Sequence, residues 1–172
     1  MKMMKTLTTF GALVFSVNAF AATTGQLLIT GTVGNRTYLS LTSMGADVSV
    51  DQTLNVDTIV NGTETTKTFS NIMHEVSNST GGYKITLTSA NAGELRGPGT
   101  NKVKYSLDYT SAKIAIANCA FTAACTANSG ALTAKTSSAV SVTVKATSTV
   151  AEVAALTSGV YSDTVTVAIV AL

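Results

Sequence analysis

One histidine, two cysteines and nine scattered acidic residues are the stock from which this chain would have to build a catalytic or metal centre. His74 falls among the alternating residues Ile72, His74 and Val76. An imidazole works as a general base only when a second group orients it and a nucleophile stands within reach. A lone histidine in a strand is far more often structural or exposed. The sequence has no G-x-S-x-G elbow, no S-x-x-K, no H-E-x-x-H and no Walker loop. The carboxylates are too dispersed along the chain to nominate an acid/base pair, so any pairing is left to the fold. We read no catalytic residue, no metal ligand set and no cofactor.

Cys119 and Cys125 bracket Ala120-Phe121-Thr122-Ala123-Ala124. Three chemistries suit two thiols: a disulfide, a redox pair or half a metal site. Redox pairs normally stand two residues apart and a metal would need two further ligands, which favours a disulfide. In an oxidising compartment it would close a small loop worth about 2 to 2.5 kcal/mol on the chain-entropy estimate. Asn35, Asn61 and Asn78 each open an N-x-S/T triplet. In a chain this rich in Asn and Thr these triplets arise by composition and mark exposed turns.

The compartment is indicated at the N-terminus. Lys2 and Lys5 precede an apolar run from Leu7 to Val17, which leads to Ala19-Phe20-Ala21. That pattern predicts a secretory signal over 1–21, cleaved after an A-x-A site. The run is far shorter than the roughly 20 residues a transmembrane helix needs. Removing it takes Lys2 and Lys5 away and leaves nine basic against nine acidic residues. A nucleic-acid binder would carry a basic excess or stripe, so nucleic acid is excluded as a partner. With only 12% charged residues, copies of the chain also repel one another little, which suits assembly.

Alternation with a period of two recurs and predicts an all-β antiparallel sandwich of immunoglobulin-like character. Tyr83, Ile85 and Leu87 form one inward set; Val103, Tyr105, Leu107 and Tyr109 form another, with Lys104, Ser106 and Asp108 facing out. Val140, Val142, Val144 and Ala146 repeat the pattern, as do Val165, Val167 and Ile169. Shorter strand candidates are 54–60, 69–76 and 113–117. Turn-rich stretches fall at Asn61-Gly62, at 78–82 and at 89–101, and one Ala-rich window at 148–156 reads as a short helix. No internal repeat or linker interrupts 34–172, which we take as one domain.

The two ends are the most informative. Gly25, Leu27, Ile29, Gly31 and Val33 share one face of an extended segment over 22–33. Near the other end, Gly159-Val160-Tyr161-Ser162-Asp163-Thr164 leads into Val165-Thr166-Val167-Ala168-Ile169-Val170. This ending resembles the closing strand of chaperone–usher pilus subunits, in which that strand opens with a glycine fourteen residues from the C-terminus, the place of Gly159 here. The stretch from Lys67 to Leu95 is similar to the middle strands of alpha-type, colonisation-factor-like pilins, and a spore coat protein U-like relationship is a further form of the resemblance. Two departures concern the clade: Ala171 stands where many pilins have an aromatic, and Cys119 and Cys125 cannot supply the disulfide that ties the first strands in many of them.

The resemblance implies an incomplete sandwich, completed by a donor strand. Gly25, Leu27, Ile29, Gly31 and Val33 would be the donor residues. Gly159, Tyr161, Val165, Val167 and Ile169 would belong to the acceptor groove and C-terminal strand. It implies identical or related subunits joined head to tail, a periplasmic chaperone, an outer-membrane usher and a cell-surface fimbrium reached through the periplasm, serving adhesion or biofilm formation, with a host or surface glycan as a further partner. The alternative is a self-contained secreted β-sandwich, either carbohydrate-binding or spore-coat-like. A third reading, a secreted hydrolase on a β scaffold, requires carboxylates gathered around His74.

Overall fold

β-branched and aromatic side chains at every second position are buried together only on a pleated face, and the alternating runs fold accordingly. The computed structural model describes residues 33–40 and 66–172. The signal segment, Gly25, Leu27, Ile29, Gly31 and the strand candidate over 54–60 lie outside the described residues. Among them nine strands follow in chain order: β1 (Thr37–Ser40), β2 (Thr66–Ser77), β3 (Tyr83–Ser89), β4 (Glu94–Arg96), β5 (Lys102–Thr110), β6 (Ala115–Cys119), β7 (Cys125–Asn128), β8 (Thr136–Ala146) and β9 (Val165–Ala171). Among the described residues one short helix, α1 (Val150–Ala154), fills the Ala-rich window. Thr149 caps it, accepting from the Glu152 amide while Glu152 accepts from the Thr149 amide.

All pairings are antiparallel. One sheet runs β1-β2-β8-β5-β4, with β6 also on β5; the other is three-stranded, β7-β3-β9. β4 and β6 share one edge of β5, β4 taking Lys102 to Lys104 and β6 taking Leu107 to Thr110. The two sheets face each other across a core of Tyr83, Ile85 and Leu87 from β3 against Tyr105, Leu107, Tyr109, Val140 and Val142 from β5 and β8. The inward sets read from the sequence are therefore the core. Ser106, expected to face out, is buried instead. Its cross-strand neighbour Lys145 reaches along the same face to Asp108, and a short hydroxyl there is covered by longer side chains.

Local breaks in the ladders follow the same logic. The β2–β8 register shifts between Phe69 and Met73, and Asn71 within that bulge has φ 56°, a left-handed conformation that Asn tolerates better than most residues. A second bulge on β6 puts Asn118 at φ 52°. There the Asn118 amide donates to Asp108 (2.7 Å) and Lys145 Nζ approaches the other Asp108 oxygen at 2.6 Å. Burial works to raise the Asp108 carboxyl, but these two partners outweigh it and hold the group below the usual carboxylate range. The stretch 89–101 is not wholly turn, since β4 lies inside it.

Cys119 and Cys125 form a disulfide. It joins β6 in the larger sheet to β7 in the smaller, so it ties the two layers where the chain crosses between them. Phe121 inside this loop sits at φ 55° and turns its ring into the core against Tyr105, with centroids 5.7 Å apart. Replacing both cysteines by serine should lower unfolding free energy by about 2 kcal/mol, the loop-closure value for so short a span. Urea denaturation of the oxidised protein and the double variant would measure it; equal midpoints would show that the tie adds nothing.

Candidate functional site

A strand inside a sheet has its amides paired on both sides, and β9 does not. It pairs with β3 in the register Tyr83↔Ala171 to Ser89↔Val165. No strand among the described residues is hydrogen-bonded to its other side, although β1 of the larger sheet lies in contact with β9. The Leu172 amide donates to Gly82 O and the Ala90 amide donates to Thr164 O, both at 2.9 Å. Backbone groups point to opposite sides on successive residues of an antiparallel strand. Thr166, Ala168 and Val170 therefore turn N–H and C=O toward β3, whereas Val165, Val167, Ile169 and Ala171 turn theirs to the open edge. These four also carry the inward side chains. Val165, Val167 and Ile169 pack against the core yet remain only half-buried, so an apolar row and a set of unpaired backbone donors and acceptors coincide on one margin.

The structure does not bring Gly159 and Tyr161 to this row. They precede β9 and pack on the Gly97-Pro98 loop: a β-carbon on Gly159 would stand 2.6 Å from Pro98 Cγ, and one on Gly97 would clash with the Tyr161 ring. Tyr161 Oη donates to Thr157 O at 2.8 Å, and Arg96 and Ser162 exchange backbone hydrogen bonds. The chain here runs along β4 and then crosses to the other sheet as β9. Of the donor residues, Val33 alone lies among the described residues, and it is exposed.

The crossing point is held by Asp163, which the sequence reading passed over. One carboxylate oxygen accepts from Ser89 Oγ and from Tyr105 Oη, each at 2.5 Å; the other accepts from the Asn91 amide at 3.0 Å. A second carboxylate, Glu75, is wholly buried and accepts from Tyr83 Oη (2.6 Å), Tyr109 Oη (2.7 Å) and Ser111 Oγ (2.6 Å). Three donors satisfy a carboxylate that burial would otherwise penalise heavily. With no exposed surface, Glu75 offers nothing for a substrate to meet. The available signal was a carboxylate alternating with Met73 and Ser77 along one strand. The neighbouring His74 has its Nδ1 enclosed without a hydrogen-bond partner among the described residues. No cluster of three His, Cys, Asp or Glu side chains suited to a metal occurs among the described residues.

No family model matches the chain, and no curated protein does. Two solved structures are similar to it at low identity. The P pilus rod subunit PapA is 15% identical over 78% of this chain and 97% of that one, with a TM-score of 0.42. A chain from a chaperone–usher pilus structure concerned with rod uncoiling is 17% identical over 88% of this chain and 97% of that one, also with a TM-score of 0.42.

The tyrosines around the two carboxylates give a pH signature. Burial first, then the hydrogen bond to Glu75, pushes Tyr83 far above the ordinary tyrosine range; burial and the Glu75 charge do the same for Tyr109, and burial and Asp163 for Tyr105. A group whose ionisation is suppressed in the fold contributes stability that is intact below its unfolded value, about 10, and is lost as pH rises beyond it. The protein should therefore hold its stability up to about pH 10 and lose it above. Ultraviolet titration should show these three phenols ionising only as β-sheet circular dichroism collapses. Their ionisation with the sheet signal intact would contradict the buried networks.

Proposed function

We propose that the chain is a structural subunit of a bacterial surface fibre of the chaperone–usher kind, polymerising by donor-strand complementation. The observation that carries this reading is the edge of β9, unpaired among the described residues, beside the half-covered row Val165, Val167 and Ile169. An extended segment with apolar side chains at every second position is the complement of such a margin: its backbone continues the ladder and its alternate side chains finish the row. Leu27, Ile29, Gly31 and Val33 have that spacing. In sequence they precede the unit Gly34–Leu172 that contains β9, and on this reading the segment of one copy serves the β9 edge of another.

Each aliphatic side chain moved fully out of water contributes about 1.5 to 3 kcal/mol, and each ladder hydrogen bond about 1 kcal/mol. The conformational entropy lost when a segment is fixed as a strand opposes both. Because the donor and acceptor features differ, the contact is heterologous and extends without closing, which gives a filament. On this reading a periplasmic chaperone covers the edge until the next subunit displaces it, an outer-membrane usher passes the chain to the surface, and the fibre serves adhesion or biofilm formation.

Deleting Ala22 to Gly31 should leave export intact and abolish polymerisation. Surface extracts run without boiling in SDS would show a ladder for the native protein and a single band for the deletion. A ladder of normal length from the deletion would contradict the reading, as would a native protein that is exported as a stable monomer.

A further inference from the structure

The two carboxylate networks stand at opposite ends of the β3–β9 ladder. At one end Tyr83, which faces Ala171, reaches from β3 to Glu75 on β2. At the other, Asp163 lies just before Val165 and reaches to Tyr105 on β5, while Ser89, which faces Val165, donates to the same oxygen. β2 and β5 belong to the larger sheet, β3 and β9 to the smaller. Each end of the ladder thus carries a carboxylate–tyrosine bridge across the sandwich. Between the bridges, Val167 and Ile169 pack against the apolar core.

An edge strand with a half-covered apolar row has a cheaper fate than waiting for a partner: it can slide inward and close against the opposite sheet. Apolar contacts do not resist this, since they are non-directional and strengthen as area is lost to water. Hydrogen bonds to a carboxylate do resist it, because they weaken steeply with distortion and leave a buried charge unsatisfied when broken. Bridges at both ends fix the separation of the sheets along the whole row, and neither occupies it.

We propose that Glu75 and Asp163 are positioning residues of the strand-acceptor edge, holding β9 off the larger sheet so that the row Val165, Val167 and Ile169 stays open to an incoming strand. This rests on the strand-addition reading. The residues touch no part of the incoming strand; they set the shape of the empty site, so they govern how fast a strand enters more than how firmly it stays.

The test uses the purified chain and a labelled synthetic peptide of residues 25–33, with association and dissociation followed separately. Glu75→Gln and Asp163→Asn should each slow peptide association by about tenfold, the scale of one hydrogen bond to a charged group. Dissociation from the loaded chain should change by less than about twofold, because the bound strand then holds the sheets apart itself. Tyr83→Phe and Tyr105→Phe remove one donor each and leave the carboxylate otherwise bonded; they should slow association in the same sense and decide the matter if the amide variants fail to fold. Association at the native rate in all folded variants would overturn the positioning role alone. So would equal changes in association and dissociation, the mark of general loosening. Failure of the native chain to take up any peptide would overturn the strand-addition reading and this inference with it.

Discussion

A β-strand edge inside a folded protein must be paired, covered or guarded, because its backbone groups are strong hydrogen-bonding partners wherever water is thin. Although β1 lies near it, the outer side of β9 is hydrogen-bonded to no strand among the described residues. It carries no proline or lysine from Val165 to Ala171 and no bulge in its register with β3. The inward side chains on this margin are aliphatic and half-buried. The proposed function follows from that margin and from the residues that line it.

The rest of the sandwich is arranged so that this edge is the exception. The larger sheet has a core of tyrosine, leucine and valine side chains, a bulge at each place where the ladder slips, and a disulfide tying β6 to β7. Its charges are placed at the periphery, as in the Asp108 pair with Lys145 and the Glu94 pair with Lys102. Pairs open to solvent in this way contribute little to stability. The buried carboxylates differ in kind. Glu75 and Asp163 join the layers directionally, and a core held by apolar contacts alone would not specify a spacing so closely.

Much of this was legible from residue order. The inward sets on β3, β5 and β8 are the core because a period of two admits only one buried face, and the short helix falls where Ala replaces β-branched residues. The disulfide followed from spacing and from the expected compartment. Three features were not legible. β4 and β7 are three and four residues long, too short for alternation to rise above composition. Gly159 and Tyr161 adjoin the C-terminal run in sequence but pack on the Gly97-Pro98 loop, since a chain crossing between sheets changes neighbours within a few residues. The carboxylate bridges pair Glu75 with Tyr83 across the β2–β3 turn and Asp163 with Tyr105, 58 positions away in the chain, a proximity between layers that only the fold creates.

The most direct test of the central claim is amide hydrogen exchange along β9, measured residue by residue in the isolated chain and in the assembled fibre. In the isolated chain, Thr166, Ala168 and Val170 should be protected by β3 while Val165, Val167, Ile169 and Ala171 exchange freely; in the fibre, both sets should be slow. Protection of all seven amides in the isolated chain would show that the edge is already filled by the molecule's own residues, and the account would be wrong.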